Sequence, residues 1–149
     1  MKQKIYILFF FLSLSLTALA QKDLNIGRIF GGHYRKNPAV TDVEIKGSRL
    51  QDYNLTYYHS LTVKGDAKIM EEIRDAFVAD EAKATDKELT NVGGKIYTGL
   101  YRLKYDGETN RFVFFKDMRL SPSKKSNTVI IIYMEGNTSL KSLQKKFKK

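Results

Sequence analysis

Residues 49–63, RLQDYNLTYYHSLTV, admit two periodicities, and the choice between them sets how many strands the fold contains. Leu55, Tyr57, His59, Leu61 and Val63 recur at every second position, which puts side chains on one face of a strand. Leu55, Tyr58 and Leu61 or Thr62 recur at three or four, which puts them on one face of a helix. The reading adopted is a short helix followed by an extended piece.

Upstream, DLNIGRIFGG (residues 23–32) reads as a short helix capped by Asp23, presenting Leu24, Ile26, Ile29 and Phe30 and ended by Gly31-Gly32. In residues 40–47, Thr41, Val43 and Ile45 alternate with Asp42, Glu44 and Lys46, the pattern of a half-buried strand. Downstream, Asp66 caps the main helix, whose stripe is Ile69, Met70, Ile73, Phe77 and Val78 and whose acidic side reads as solvated.

ATDKELTNVGG (84–94) reads as a polar connection. Three strand-like runs follow: KIYTGLYRLKYDGETN with an Asp106-Gly107 turn, then RFVFFKDM and NTVIIIYME, the last two apolar on both faces. Leu140, Leu143 and Phe147 mark a terminal helix with Thr138 or Ser139 as its cap. The expected class is α+β: an antiparallel sheet, made of a three-stranded C-terminal meander plus one N-terminal strand, packed against a main helix with short N- and C-terminal helices. Val129–Tyr133 needs cover on both faces. The main helix supplies one; the N-terminal helix with residues 48–64, or a second copy of the chain, supplies the other.

Residues 1–20 have the layout of a signal peptide: Lys2 and Lys4, an apolar run from Ile5 to Leu16, then Ala18-Leu19-Ala20. That run falls short of the ~20 apolar residues a spanning helix needs, so no transmembrane segment is expected after cleavage, and residues 21–149 are expected to form one domain. With no cysteine, the chain has no site for a lipid anchor and no disulfide. The net charge of +10 loses only Lys2 and Lys4 with the leader, although residues 66–88 are acidic on balance. Such charge in an exported chain points to an envelope protein, a glycan or an anionic lipid surface rather than to nucleic acid, for which no RNP-like or zinc-finger pattern is present.

Three stretches, IGRIFGGHYRKNPAVTDVEIKG, the Leu-Thr-Val-Lys-Gly-Asp run before the main helix, and IIIYMEGNTSLKSL, resemble small exported proteins of Bacteroidota grouped only as domains of unknown function. The resemblance implies an envelope location and carries no activity, cofactor or functional residue.

Candidate chemistry is sparse. His33 and His59 have no second ligand at a metal-binding spacing; brought together with Asp42 or Asp52, either can serve a small periplasmic hydrolase as acid or base. No G-x-S-x-G elbow, cysteine nucleophile or phosphate-cradling glycine loop is present, so no catalytic residue, metal or cofactor is assigned. Tyr97, Tyr101 and Tyr105 share one strand face, as a stacking surface or as the core side of the sheet. Lys141, Lys145, Lys146, Lys148 and Lys149 surround Phe147; cations there complement a helix C-terminus, or together form an anionic-surface site. The resulting expectation is a non-catalytic exported binding or structural module, with the hydrolase as the alternative.

The Ala18-Leu19-Ala20 site predicts a mature chain that begins at Gln21. Intact-mass measurement on protein from its own cells checks this, and a species that retains Met1 or Lys2 refutes it.

Overall fold

The computed structural model describes residues 23–103 and 109–147. The chain forms a six-stranded antiparallel sheet in the order β1-β2-β6-β5-β4-β3. Its strands are β1 (Val40–Lys46), β2 (Leu55–Lys64), β3 (Ala84–Val92), β4 (Lys95–Leu103), β5 (Asn110–Asp117) and β6 (Thr128–Gly136). Helices α1 (Ile26–Ile29) and α2 (Ala67–Glu81) cover one face, while a 3-10 helix (Gly47–Tyr53) and α3 (Leu140–Phe147) cover the other.

The expected meander is present as β4-β5-β6, but the expected four-stranded sheet is wrong, because two further strands join it. The first is β2: the 3-10 helix Gly47–Tyr53 stands where a short helix is expected, and the extended piece after it is a full strand of the sheet. Its pairing with β6 shifts register between Leu55 and Tyr57, so one extra residue enters the strand. Tyr57, His59, Leu61 and Val63 therefore face α1 and α2, whereas Leu55 and Tyr58, three apart, both face α3. The helical spacing in the sequence is the imprint of this bulge.

The second is β3, read as a polar connection. It is an edge strand in which only Ala84 and Leu89 pack against the core, so backbone pairing with β4 rather than apolar periodicity defines it. Gly93 (φ 58°) and Gly94 (φ 78°) make the two-residue turn with positive φ at both positions that joins β3 to β4.

Smaller expectations are corrected as well. Thr41 and Val43 of β1 point to solvent, and only Ile45 of that set packs, toward α3. On α2, Asp66 caps as expected, its Oδ1 accepting the Ile69 N–H at 3.1 Å, and Ile69, Met70, Ile73 and Phe77 are buried; Val78 is 45% exposed. Gly99 lies under Phe77, where a Cβ would stand 2.7 Å from Phe77 Cζ. Nor is α1 placed over the second face: it packs beside α2.

The acidic side of α2 is engaged rather than simply solvated. Asp80 is fully buried and accepts the Asn25 and Ile26 N–H groups at 2.8 and 2.9 Å, so it caps α1 from a neighbouring helix. Asp23, the expected cap, instead binds Arg111 at 2.8 Å. Glu71 takes Arg119 at 3.0 Å, and Glu72 accepts from the Tyr34 hydroxyl; burial together with that bond pushes the Tyr34 pKa up to about 12.

Beneath α2, Arg74 donates to Asp117 and to the Ile96 carbonyl, the latter at 3.0 Å, and Arg119 donates to both Asp117 oxygens. Burial pushes the Asp117 carboxyl upward, but the hydrogen bonds from Arg119 and Arg74 outweigh it and hold the pKa below the usual aspartate value. A depressed folded pKa contributes stability that is complete above the unfolded value near ~4 and is withdrawn as pH falls through the folded one. Asp117→Asn is expected to cost about 3–5 kcal/mol at neutral pH, the range for breaking a buried pair. Urea midpoints should converge with those of the unaltered protein as the pH falls through the depressed folded pKa, and a gap that stays constant with pH would contradict the assignment.

A candidate binding cleft and a buried histidine network

Helix α3 is held on the second face by its own sequence pattern. Ser139 Oγ accepts the Ser142 N–H at 3.2 Å at the start of the helix, Leu140 and Leu143 are buried, and the Phe147 ring stacks on Phe114 at 4.5 Å and 13°. On the same face the 3-10 helix buries Leu50 and ends at Asn54 in the left-handed region, φ 54°. Between these two elements lies a cleft of about 300 Å³. Leu55, Tyr58 and Met134 come from the sheet, Ile45, Leu50 and Tyr53 from β1 and the 3-10 helix, and Leu143, Lys146 and Phe147 from α3.

Among the described residues Lys146 is the one charged residue that lines this cleft, and its ammonium sits 4.4 Å from the centre of the Tyr53 ring. That is within cation–π range. Lys145 is exposed in the same last turn, while Lys148 and Lys149 lie outside the described residues. The basic tail is thus divided: one of its lysines reaches a concave apolar site.

The tyrosine row is divided too. Tyr101 is fully buried and its hydroxyl donates to the Phe77 carbonyl at 3.0 Å, so burial pushes its pKa up. The β3–β4 register shifts between Thr98 and Ile96, which takes Tyr97 out of the row. Its ring lies 5.9 Å from the Lys116 ammonium, in a second hollow of about 240 Å³ that Glu88, Thr90 and Gln144 also line. Tyr105 lies outside the described residues.

His59 does meet Asp42, as the hydrolase alternative requires. Its Nε2 is 2.7 Å from Asp42 Oδ1, its Nδ1 is 3.3 Å from the Tyr57 hydroxyl, and that hydroxyl donates to Glu44 Oε1 at 2.9 Å. Burial would raise the Glu44 pKa, yet the Tyr57 bond and the Lys46 charge lower it below the usual value; burial and Glu44 together drive the Tyr57 hydroxyl well upward. The imidazole is only 2% exposed and packs against Phe30 at 4.7 Å. With both nitrogens engaged and the ring itself buried, the network fastens β1 to β2 beneath α1. His33 lines a separate groove beside Arg28, Tyr34, Glu72 and Asp75, and Asp52 is exposed on the 3-10 helix. Among the described residues no cluster of three or more His, Cys, Asp or Glu can hold a metal ion.

Tyr53, Tyr58, Leu50, Leu55 and Ile45 carry the cleft, and the sequence assigns none of them a binding role. The available signal was the paired Leu50 and Leu55 flanking Tyr53, which becomes readable once β2 is placed in the sheet. His59→Ala is expected to cost about 1–3 kcal/mol, the range for leaving buried partners unsatisfied, and to leave ligand uptake by the cleft unchanged. Urea denaturation and dye binding on the same sample check both halves.

No curated protein and no solved structure matches the chain. No described helix is long and apolar enough to cross a membrane. Residues 13–147 match the family described as "Family of unknown function (DUF6108)", and the chain belongs to that family.

Proposed function

We propose that this protein is a non-catalytic binding module of a bacterial cell envelope, of the Bacteroidota type its sequence resembles. It is exported by its leader, cleaved after Ala20, and works as a single domain of residues 21–149 in the periplasm or outside the cell. Its function is to hold an apolar ligand in the cleft between the 3-10 helix and α3.

The observation that carries this reading is the cleft itself. Its lining is apolar and aromatic except for Lys146, and its size stands at the lower end of the ~300–1,000 Å³ typical of small-molecule sites. A hollow lined this way forgoes burial that a filled core would gain. The hydrolase alternative draws support from the His59–Asp42 pair, but the burial of the imidazole disfavours it.

A neutral, environment-sensitive dye such as Nile red is expected to bind saturably, and Ile45→Asp, which puts a carboxylate in the wall, to weaken it at least tenfold. Thr41→Asp, exposed on the same strand, should bind as the unaltered protein does. Absence of saturable binding, or equal binding by the Ile45→Asp variant with its fold intact by circular dichroism, overturns the proposal.

A further inference from the structure

The geometry points to a ligand class: an anionic single-chain amphiphile, its alkyl chain among Leu50, Leu55, Met134 and Leu143 and its head beside the Lys146 ammonium. This rests on the cleft being the binding site, and adds what selects its occupant.

Three features favour that chemistry. Among the described residues that line the cleft there is one cation and no carboxylate, so an anionic head is attracted and a cationic one repelled. Lys146 is engaged by the Tyr53 ring and by no carboxylate among the described residues. An aromatic face positions an ammonium without cancelling its charge, which leaves that charge available to a head group at the rim. Finally, a volume of about 300 Å³ suits one chain rather than the paired tails of a bilayer lipid.

The head at the rim keeps part of its hydration, so the pair contributes selectivity more than affinity. Affinity comes from the chain, because each buried methylene adds roughly 0.8 kcal/mol, a factor of about four. Free fatty acids and lysophospholipids offer the same chemistry, a single tail beneath a carboxylate or phosphate.

Calorimetric titration of the protein from cells expressing the full chain, with octanoate, decanoate and dodecanoate below micelle formation, is expected to show tightening of about fourfold per methylene until the cleft fills. Decanoate should bind better than decanol, and decyltrimethylammonium worst. Lys146→Gln, at an exposed position, should weaken decanoate about three- to fivefold and leave decanol unchanged. Decanoyl-lysophosphatidylglycerol, matched in chain length, binding more tightly than decanoate identifies a lipid as the source, and the reverse identifies a free acid; both outcomes support the class. Equal binding of the three decyl compounds, or equal loss for all of them in Lys146→Gln, overturns the anionic class while Nile red binding keeps the cleft. Binding only to intact phosphatidylglycerol vesicles, with none to monomers, overturns it in favour of a membrane-surface patch. If neither Nile red nor any decyl compound binds, the cleft reading fails with it.

Discussion

The arrangement turns on β6, a strand that is apolar on both faces and sits between β2 and β5. Val129, Ile131 and Tyr133 belong to the core under α1 and α2, while Ile132 and Met134 belong to the core under α3. A strand of this composition cannot leave either face to water. Two covering layers are therefore obligatory: α1 and α2 form one, and the 3-10 helix Gly47–Tyr53 and α3 form the other. Tyr133 is fully buried and still directs its hydroxyl to Glu135 at 2.7 Å, so even the polar atom at the strand's end is accounted for within the fold.

The two layers are held by different physics. On the α2 side, charged groups fix position: Asp80 caps α1, Asp117 gathers Arg74 and Arg119, and the His59 chain joins β1 to β2. Such contacts are directional and define one geometry. On the α3 side the ties are apolar and aromatic, namely Leu140, Leu143, the Phe114–Phe147 stack and the Lys146–Tyr53 contact. These tolerate displacement better, since dispersion and burial depend on area more than on angle. The cleft opens in the layer whose ties are chiefly apolar.

What could be read from the sequence followed from periodicity. The stripe of α2 apart from Val78, the two-sided β5 and β6 and the cap at Asp66 all carry strong local patterns, and each lies where the pattern places it. Failure came where a local rule was broken by pairing. The Leu55–Tyr57 bulge gave β2 a helical spacing, and the polar β3 owes its conformation to β4 and to the Gly93-Gly94 turn, whose hairpin character was legible but passed over. Asp80 was counted with a solvated face because nothing local shows that Asn25 and Ile26 will reach it from fifty residues upstream. The cleft is hidden for the same reason: its walls converge only when residues 45–58 and the last helix lie on one face.

The strand order also governs when the sheet can close. β2 pairs with β1 beside it in sequence and with β6 far downstream, as in Val63 with Val40 and with Val129. The early hairpin β1–β2 thus exposes one long edge, and the apolar residues on it, until the distant strand has been made and has crossed any membrane in its path. Loop-closure entropy must be met before that pairing repays it. During this interval the chain has the open edge and uncovered faces that invite association with other chains. A protein built this way places a premium on being escorted, or on being slow to aggregate by virtue of its charge, between the emergence of its first strand and the arrival of its last.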